Sequence, residues 1–153
     1  MNKPNPSSDQ AKSKNIAVIL VRGLARIRKP IKDTILMLKL KKKHQCVIME
    51  DTPMNKGMLV KVKDYIAWGP IDEETYELLI QKRGKAYEGR LTDRKEKYHY
   101  KTLSFSGKHY LPYFNLNPPK KGFGIKGIKV AYNAGGSLGN RGEKINDLIK
   151  RMV

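Results

Sequence analysis

The sequence predicts a small two-layer domain of the α/β or α+β class, followed by a basic extension. Three observations predict it. Residues 16–21 (IAVILV), 46–49 (CVIM) and 65–68 (YIAW) are short apolar runs rich in β-branched or aromatic side chains. The intervals between them show helical periodicity. Pro, Gly and Asp punctuate the joints. The order strand–helix–strand–helix–strand lays both helices on one face of one sheet.

The elements follow in order. The IAVILV run is nearly continuous in apolar side chains and reads as a buried strand. Residues 23–29 form a loop. Pro30 suits the first turn of a helix, where its missing N–H is not needed. Ile31, Ile35 and Leu38 recur at helical spacing, and Leu36 and Leu40 widen the stripe. Lys41, Lys42 and Lys43 are expected at the negative C-terminal end of that helix. The CVIM run is the second strand, and Asp51, Thr52 and Pro53 turn the chain. A second helix over about 54–64 faces inward with Met58, Leu59 and Val62, although Lys56, Gly57 and Met58 also read as a turn. The third strand closes at Gly69 and Pro70.

Asp72 is the expected N-cap of a third helix. Glu73 and Glu74 favour its first turn, Leu78 and Leu79 supply apolar surface, and Gly84 is expected in the left-handed position past its end. Residues 85–140 are dominated by Tyr, Lys, Gly and Pro, with short apolar runs at 110–114 and 125–130. Ile145, Leu148 and Ile149 mark a C-terminal helix over about 142–152. The organisation is therefore a polar arm at 1–14, expected to be disordered, a core at 15–70 and an extension at 71–153.

Charge sets the function class. The 153 residues hold 32 Lys+Arg against 14 Asp+Glu, a formal net charge of +18. Both halves of the chain share the excess, so an anionic partner is implied, and nucleic acid fits best. A membrane is not expected, since the chain shows neither a basic amphipathic helix nor a lipidation signal. The single Cys46 excludes an intrachain disulfide and fits a reducing cytoplasm.

Catalytic motifs are weak. Gly122, Gly124 and Gly127 spell G-x-G-x-x-G, but a Pro-Pro-Lys-Lys run precedes them and a β-like IKVAY follows. A dinucleotide site needs the reverse order, strand before and helix after. A glycine-rich basic loop lying close to a phosphate backbone is the better reading. Gly135, Gly136, Gly139 and Gly142 lack the Lys-Ser/Thr ending of a P-loop. Cys46 lies in an apolar strand and reads as a structural thiol. His44, His99 and His109 have no metal-ligand spacing. No cofactor, metal, small-molecule substrate or catalytic residue is expected.

The basic clusters are more informative. Arg22, Arg26, Arg28 and Lys29 fall within one short loop around Gly23, with Lys32 just beyond. The planar fork of Arg suits phosphate. Arg141, beside Gly142, repeats the idea near the C-terminus. Between Tyr98 and Phe123, aromatic and basic residues interleave. These rings either stack on unpaired bases or anchor the extension on the core.

At these residues the chain resembles the L-thirty family of large-ribosomal-subunit proteins, in its archaeal and eukaryotic form. The stretches that carry the resemblance are VRGLARIRKPIKDTILMLKLKKKHQCVIMEDTPMNKGML, VKVKDYIAWGPID, LIQKRGK, NPPKKGFG and AGGSLGNRGEKINDLIKRMV. It implies a β-α-β-α-β core resembling a truncated ferredoxin-like fold, with an antiparallel three-stranded sheet, two helices on one face and an extension of short helices. It also implies a non-catalytic role: binding large-subunit ribosomal RNA beside neighbouring ribosomal proteins in the cytoplasm. The residues expected to face RNA are Arg22, Gly23, Arg26, Arg28, Lys29, Lys32, Lys42, Lys43, Lys56, Gly57, Lys120, Lys121 and Arg141. One departure stands out. Between Leu91 and Asn117 the family implies a longer, acidic, helical insert, whereas this span is short, basic and aromatic. Two other function classes stay open on residues alone: a free-standing RNA- or DNA-binding module, and a nucleotide-binding enzyme using GFGIKG.

Overall fold

A computed structural model describes residues 15–153. The polar arm at 1–14 lies outside the described residues. The core elements are β1 (Asn15–Leu20), α1 (Lys29–Met37), β2 (Gln45–Glu50), α2 (Pro53–Lys61) and β3 (Ile66–Pro70). β1 is central and antiparallel to both β2 and β3, with Val18 opposite Val47 on one side and Trp68 on the other. This is the three-stranded antiparallel sheet expected, with α1 and α2 on one face.

The extension adds α3 (Glu73–Arg83), β4 (Leu103–Phe105), β5 (Lys108–Tyr110), β6 (Phe114–Asn115), β7 (Gly139–Asn140) and α4 (Lys144–Met152). β6 pairs antiparallel with β2 and β7 pairs parallel with β3, so the sheet grows to five strands in the order β6-β2-β1-β3-β7. β4 and β5 make a separate hairpin in the span where the family implies a helical insert.

The unbroken apolar run of β1 has a simple cause: both faces of the sheet are covered. Ile16, Val18 and Leu20 pack with Ile35, Leu38, Leu40, Leu59 and Val62 beneath α1 and α2. Ala17, Ile19 and Val21 point the other way, into Leu79, Ile80, Phe114, Ile145, Leu148, Ile149 and Met152. The extension thus builds no core of its own. It completes the second face of the shared one and makes the molecule three-layered.

Several local expectations are corrected. α1 ends at Met37, so Lys41–Lys43 lie beyond it rather than in its last turn. Lys39 takes the left-handed conformation (φ 63°), its N–H donating to Leu36 O while Leu40 N–H donates to Ile35 O. That is a Schellman termination with Lys where Gly is usual, so no glycine signalled it. Lys56, Gly57 and Met58 are helical residues of α2, which is capped by Thr52 Oγ1 accepting from Asn55 N–H. Asp72 flanks α3 without a side-chain cap bond. Gly84 is extended (φ −63°), not left-handed. It is small because a Cβ there would collide with Ile80 O and press on the Tyr110 ring. Residues 128–130 form no strand; a 3₁₀ turn at Tyr132–Ala134 follows them. No helix among the described residues is long and apolar enough to cross a membrane.

Candidate nucleic-acid interface

Sheet register decides which loops meet. Ile19 faces Cys46 and Leu20 faces Ile66, so the C-terminal end of β1 lies beside the N-terminal ends of β2 and β3. The loop after β1, the turn before β2 and the turn before β3 therefore share one end of the sheet. β6 pairs with the first residues of β2 and brings the start of the glycine-rich segment to the same end.

The first loop is pinned by its apolar residues. Leu24, Ile27 and Ile31 pack against the α1–α2 side of the core, leaving Arg26, Arg28, Lys29 and Lys32 exposed. Gly23 is exposed with open space around it. Arg22 is half-buried. Its guanidinium lies 4.9 Å from the centroid of the Tyr65 ring, and its Nη1 donates to Asp64 O at 3.1 Å. Held this way, the side chain is preorganised and loses less freedom on ordering around a ligand.

The second segment, Lys41–His44, is held by a side chain. Gln45 Oε1 accepts from the backbone N–H groups of Lys41 (2.7 Å) and Lys42 (3.0 Å), and Gln45 Nε2 donates to Asn115 Oδ1. Lys42 and Lys43 are exposed. His44 stacks on Phe123 at 5.6 Å, joining this turn to the glycine-rich loop. Burial lowers the His44 pKa, and the charge of Lys43 lowers it further.

The third segment carries Lys120 and Lys121, both exposed. It is bolted to the end of α4: Lys120 N–H donates to Arg151 O, and Arg151 Nη1 donates to the carbonyls of Lys120 (3.3 Å) and Gly122 (3.1 Å). Arg141 sits behind it and is 7% exposed. Its guanidinium lies 4.6 Å over Tyr132, and its Nη1 points to Ser137 O and Phe123 O. Arg141 is thus not the free surface grip that its glycine neighbours suggested.

Of the sequence-predicted residues, Arg22, Gly23, Arg26, Arg28, Lys29, Lys32, Lys42, Lys43, Lys120 and Lys121 gather around one end. Lys56 and Gly57 do not. They lie near the start of α2, which follows the opposite end of β2, and Lys56 Nζ pairs with Asp51 Oδ1 at 2.8 Å. That opposite end also carries Glu50, Asp72 and Glu73, next to the last residues of β2 and β3. Acidic side chains thus gather at the second end, with Lys56 and Lys101 among them, while Asp64 stands with the basic loops at the first. Tyr65, His44 and Arg151 were not among the expected site residues, because each matters through a partner distant in the chain. The interleaved aromatics divide: Phe114 is buried and Phe105, Tyr110, Tyr113 and Phe123 pack on the core, whereas Tyr98 and Tyr100 are exposed.

The sequence profile of the family described as Ribosomal protein L30p/L7e matches residues 16–66, from β1 to the start of β3. The large ribosomal subunit protein uL30 of Nanoarchaeum equitans is 44% identical over 151 residues, covering 90% of this chain and 97% of that protein. The chain belongs to the L30p/L7e family. The uL30 proteins of Archaeoglobus fulgidus (43% over 152 residues) and Methanopyrus kandleri (38% over 149) match 89% and 87% of this chain, and 98% and 100% of themselves. The L30 likeness therefore runs beyond the ferredoxin-like core into the extension that covers the second sheet face.

Proposed function

We propose that this L30 protein is a structural constituent of the large ribosomal subunit, where it binds and stabilises large-subunit ribosomal RNA without catalysing a reaction. The observation that carries the proposal is convergence: three basic segments far apart in sequence meet at one end of a rigid sheet, with carboxylates at the other. Such polarity orients the protein on a polyanion. Arg22, Arg26, Arg28, Lys29, Lys32, Lys42, Lys43, Lys120 and Lys121 supply phosphate contacts, and Gly23 keeps the loop open to close approach. Lys56 and Gly57 form at most a secondary contact on the flank of α2. The rigid arrangement of the loops reads RNA shape, since the A-form major groove hides sequence from side chains. The same reading puts the protein in the cytoplasm with the subunit, among ribosomal proteins.

The test is co-sedimentation. The protein should stay with large subunits through high-salt washing and leave only when the RNA unfolds. Recovery as free protein, with equal affinity for unrelated RNA and DNA, would favour a free-standing nucleic-acid module instead.

A further inference from the structure

A cleft of about 520 Å³ opens among Lys121, Gly122, Gly124, Tyr132, Arg141 and Arg151. Its floor is unusual in charge. Arg141 is more than nine-tenths buried, yet among the described residues no carboxylate meets it and its Nε has no hydrogen-bond partner. Arg151 directs Nη1 at two backbone carbonyls and pairs with no acid among the described residues. Among those residues the one ion pair is remote, between Lys56 and Asp51. Two adjacent arginines with no counter-charge are costly to hold in a fold unless an anion completes them. Burial lowers the Arg141 pKa, Tyr132 opposes that, and the Arg151 charge adds to it.

The walls fit an anion of one kind. Gly136 is pressed against the chain at Val130, and a Cβ on Gly124 would crowd Gly136 O, so no side chain stands at either position and the wall there is closely packed backbone. The Tyr132 ring and the carbonyls of Ser137 and Phe123 fix the Arg141 fork in place. A fixed planar guanidinium with a flanking ammonium suits a phosphate group.

We propose that this cleft seats a single phosphate of an RNA backbone, with Arg141 as its positioned floor and Arg151 and Lys121 as its rim. The proposal rests on the RNA-binding reading above and names one subsite of it. The cleft adjoins the Lys41–Lys43 turn through the His44–Phe123 stack, so an RNA strand crossing that turn reaches it.

The experiment uses the full chain and protein-free large-subunit ribosomal RNA in filter binding across a salt series. Lys121→Asn removes the charge while Asn tolerates the left-handed backbone at that position (φ 65°). Combined with Arg151→Gln, it should weaken binding about tenfold or more and lower the salt slope by roughly one unit, the loss of one phosphate contact. If melting shows that Arg151→Gln loosens the fold, the phosphate titration below decides, because it reads the Arg141 floor directly. Unchanged affinity and slope would overturn the cleft while leaving the ribosomal reading intact. Failure of the unaltered protein to bind this RNA would instead sink the ribosomal reading. A parallel arm titrates inorganic phosphate and follows the Arg141 Nε–H signal by NMR. Movement in the unaltered chain, reduced in Lys121→Asn, supports the seat. Movement with phosphate but no effect of the variants on RNA binding means a site for free phosphate, which overturns the proposal.

Discussion

Cys46 shows how far a single residue can be read and where that reading stops. Its apolar neighbours predict a structural thiol, and in the fold it is fully buried in the second core face. Burial pushes its pKa up to about 12, with a backbone hydrogen bond at Val18 pulling the other way. A thiol reagent at mild alkaline pH should therefore leave the folded chain unmodified and label it only after denaturation; rapid labelling of native protein would contradict the burial. The linkage has a defined sign. A raised folded-state pKa contributes stability in full below the unfolded value of 9.0, and that contribution is lost as pH climbs from there toward about 12. Alkaline melting curves of Cys46→Ala should fall less steeply over that window. Arg141 teaches the opposite lesson. Its Gly-flanked sequence setting promised an exposed grip, and only the fold shows it turned inward over Tyr132.

At the scale of elements, the pattern of apolar spacing carried most of the information. α4 was legible because Ile145, Leu148, Ile149 and Met152 form one stripe, and all four are fully buried. The stripe closes the sheet face opposite α1 and α2, so Leu148→Ala should cost about 2–5 kcal/mol in chemical denaturation. A drop well below about 1 kcal/mol would mean that the extension is dispensable to the core. The end of α1 was less legible. Its Schellman turn uses Lys39 where a glycine is expected, so periodicity alone ran the helix on toward Lys41. Likewise, β6 and β7 are each two residues long, too short to leave a pattern of alternation.

For the molecule as a whole, charge placement matters more than charge total. The first basic loop is the largest of the three segments at the basic end. Neutralising Arg22, Arg26 and Arg28 together should weaken RNA binding and flatten its salt dependence by roughly one unit for each phosphate left without its cation. An unchanged slope in filter binding would mean that this loop faces solvent or protein. Stability should fall slightly. Arg26 and Arg28 are surface groups worth within about 0.5 kcal/mol, but Arg22 also gives up its Tyr65 stack and its bond to Asp64 O, about 0.5–1 kcal/mol more.

By itself, the sequence determined the elements of the core, the excess of positive charge and the family. These depend on local quantities: side-chain periodicity, turn residues, charge count and the order of motifs. Tertiary structure alone decided which basic residues lie together. Antiparallel pairing brings the end of β1 beside the starts of β2 and β3, collecting loops that are tens of residues apart. It also decided that Lys56 is occupied by Asp51, that Arg141 is buried, and that the weakly patterned extension covers half the core. Pairing register and burial are properties of distant contacts, and neither leaves a mark on the local spacing of residues.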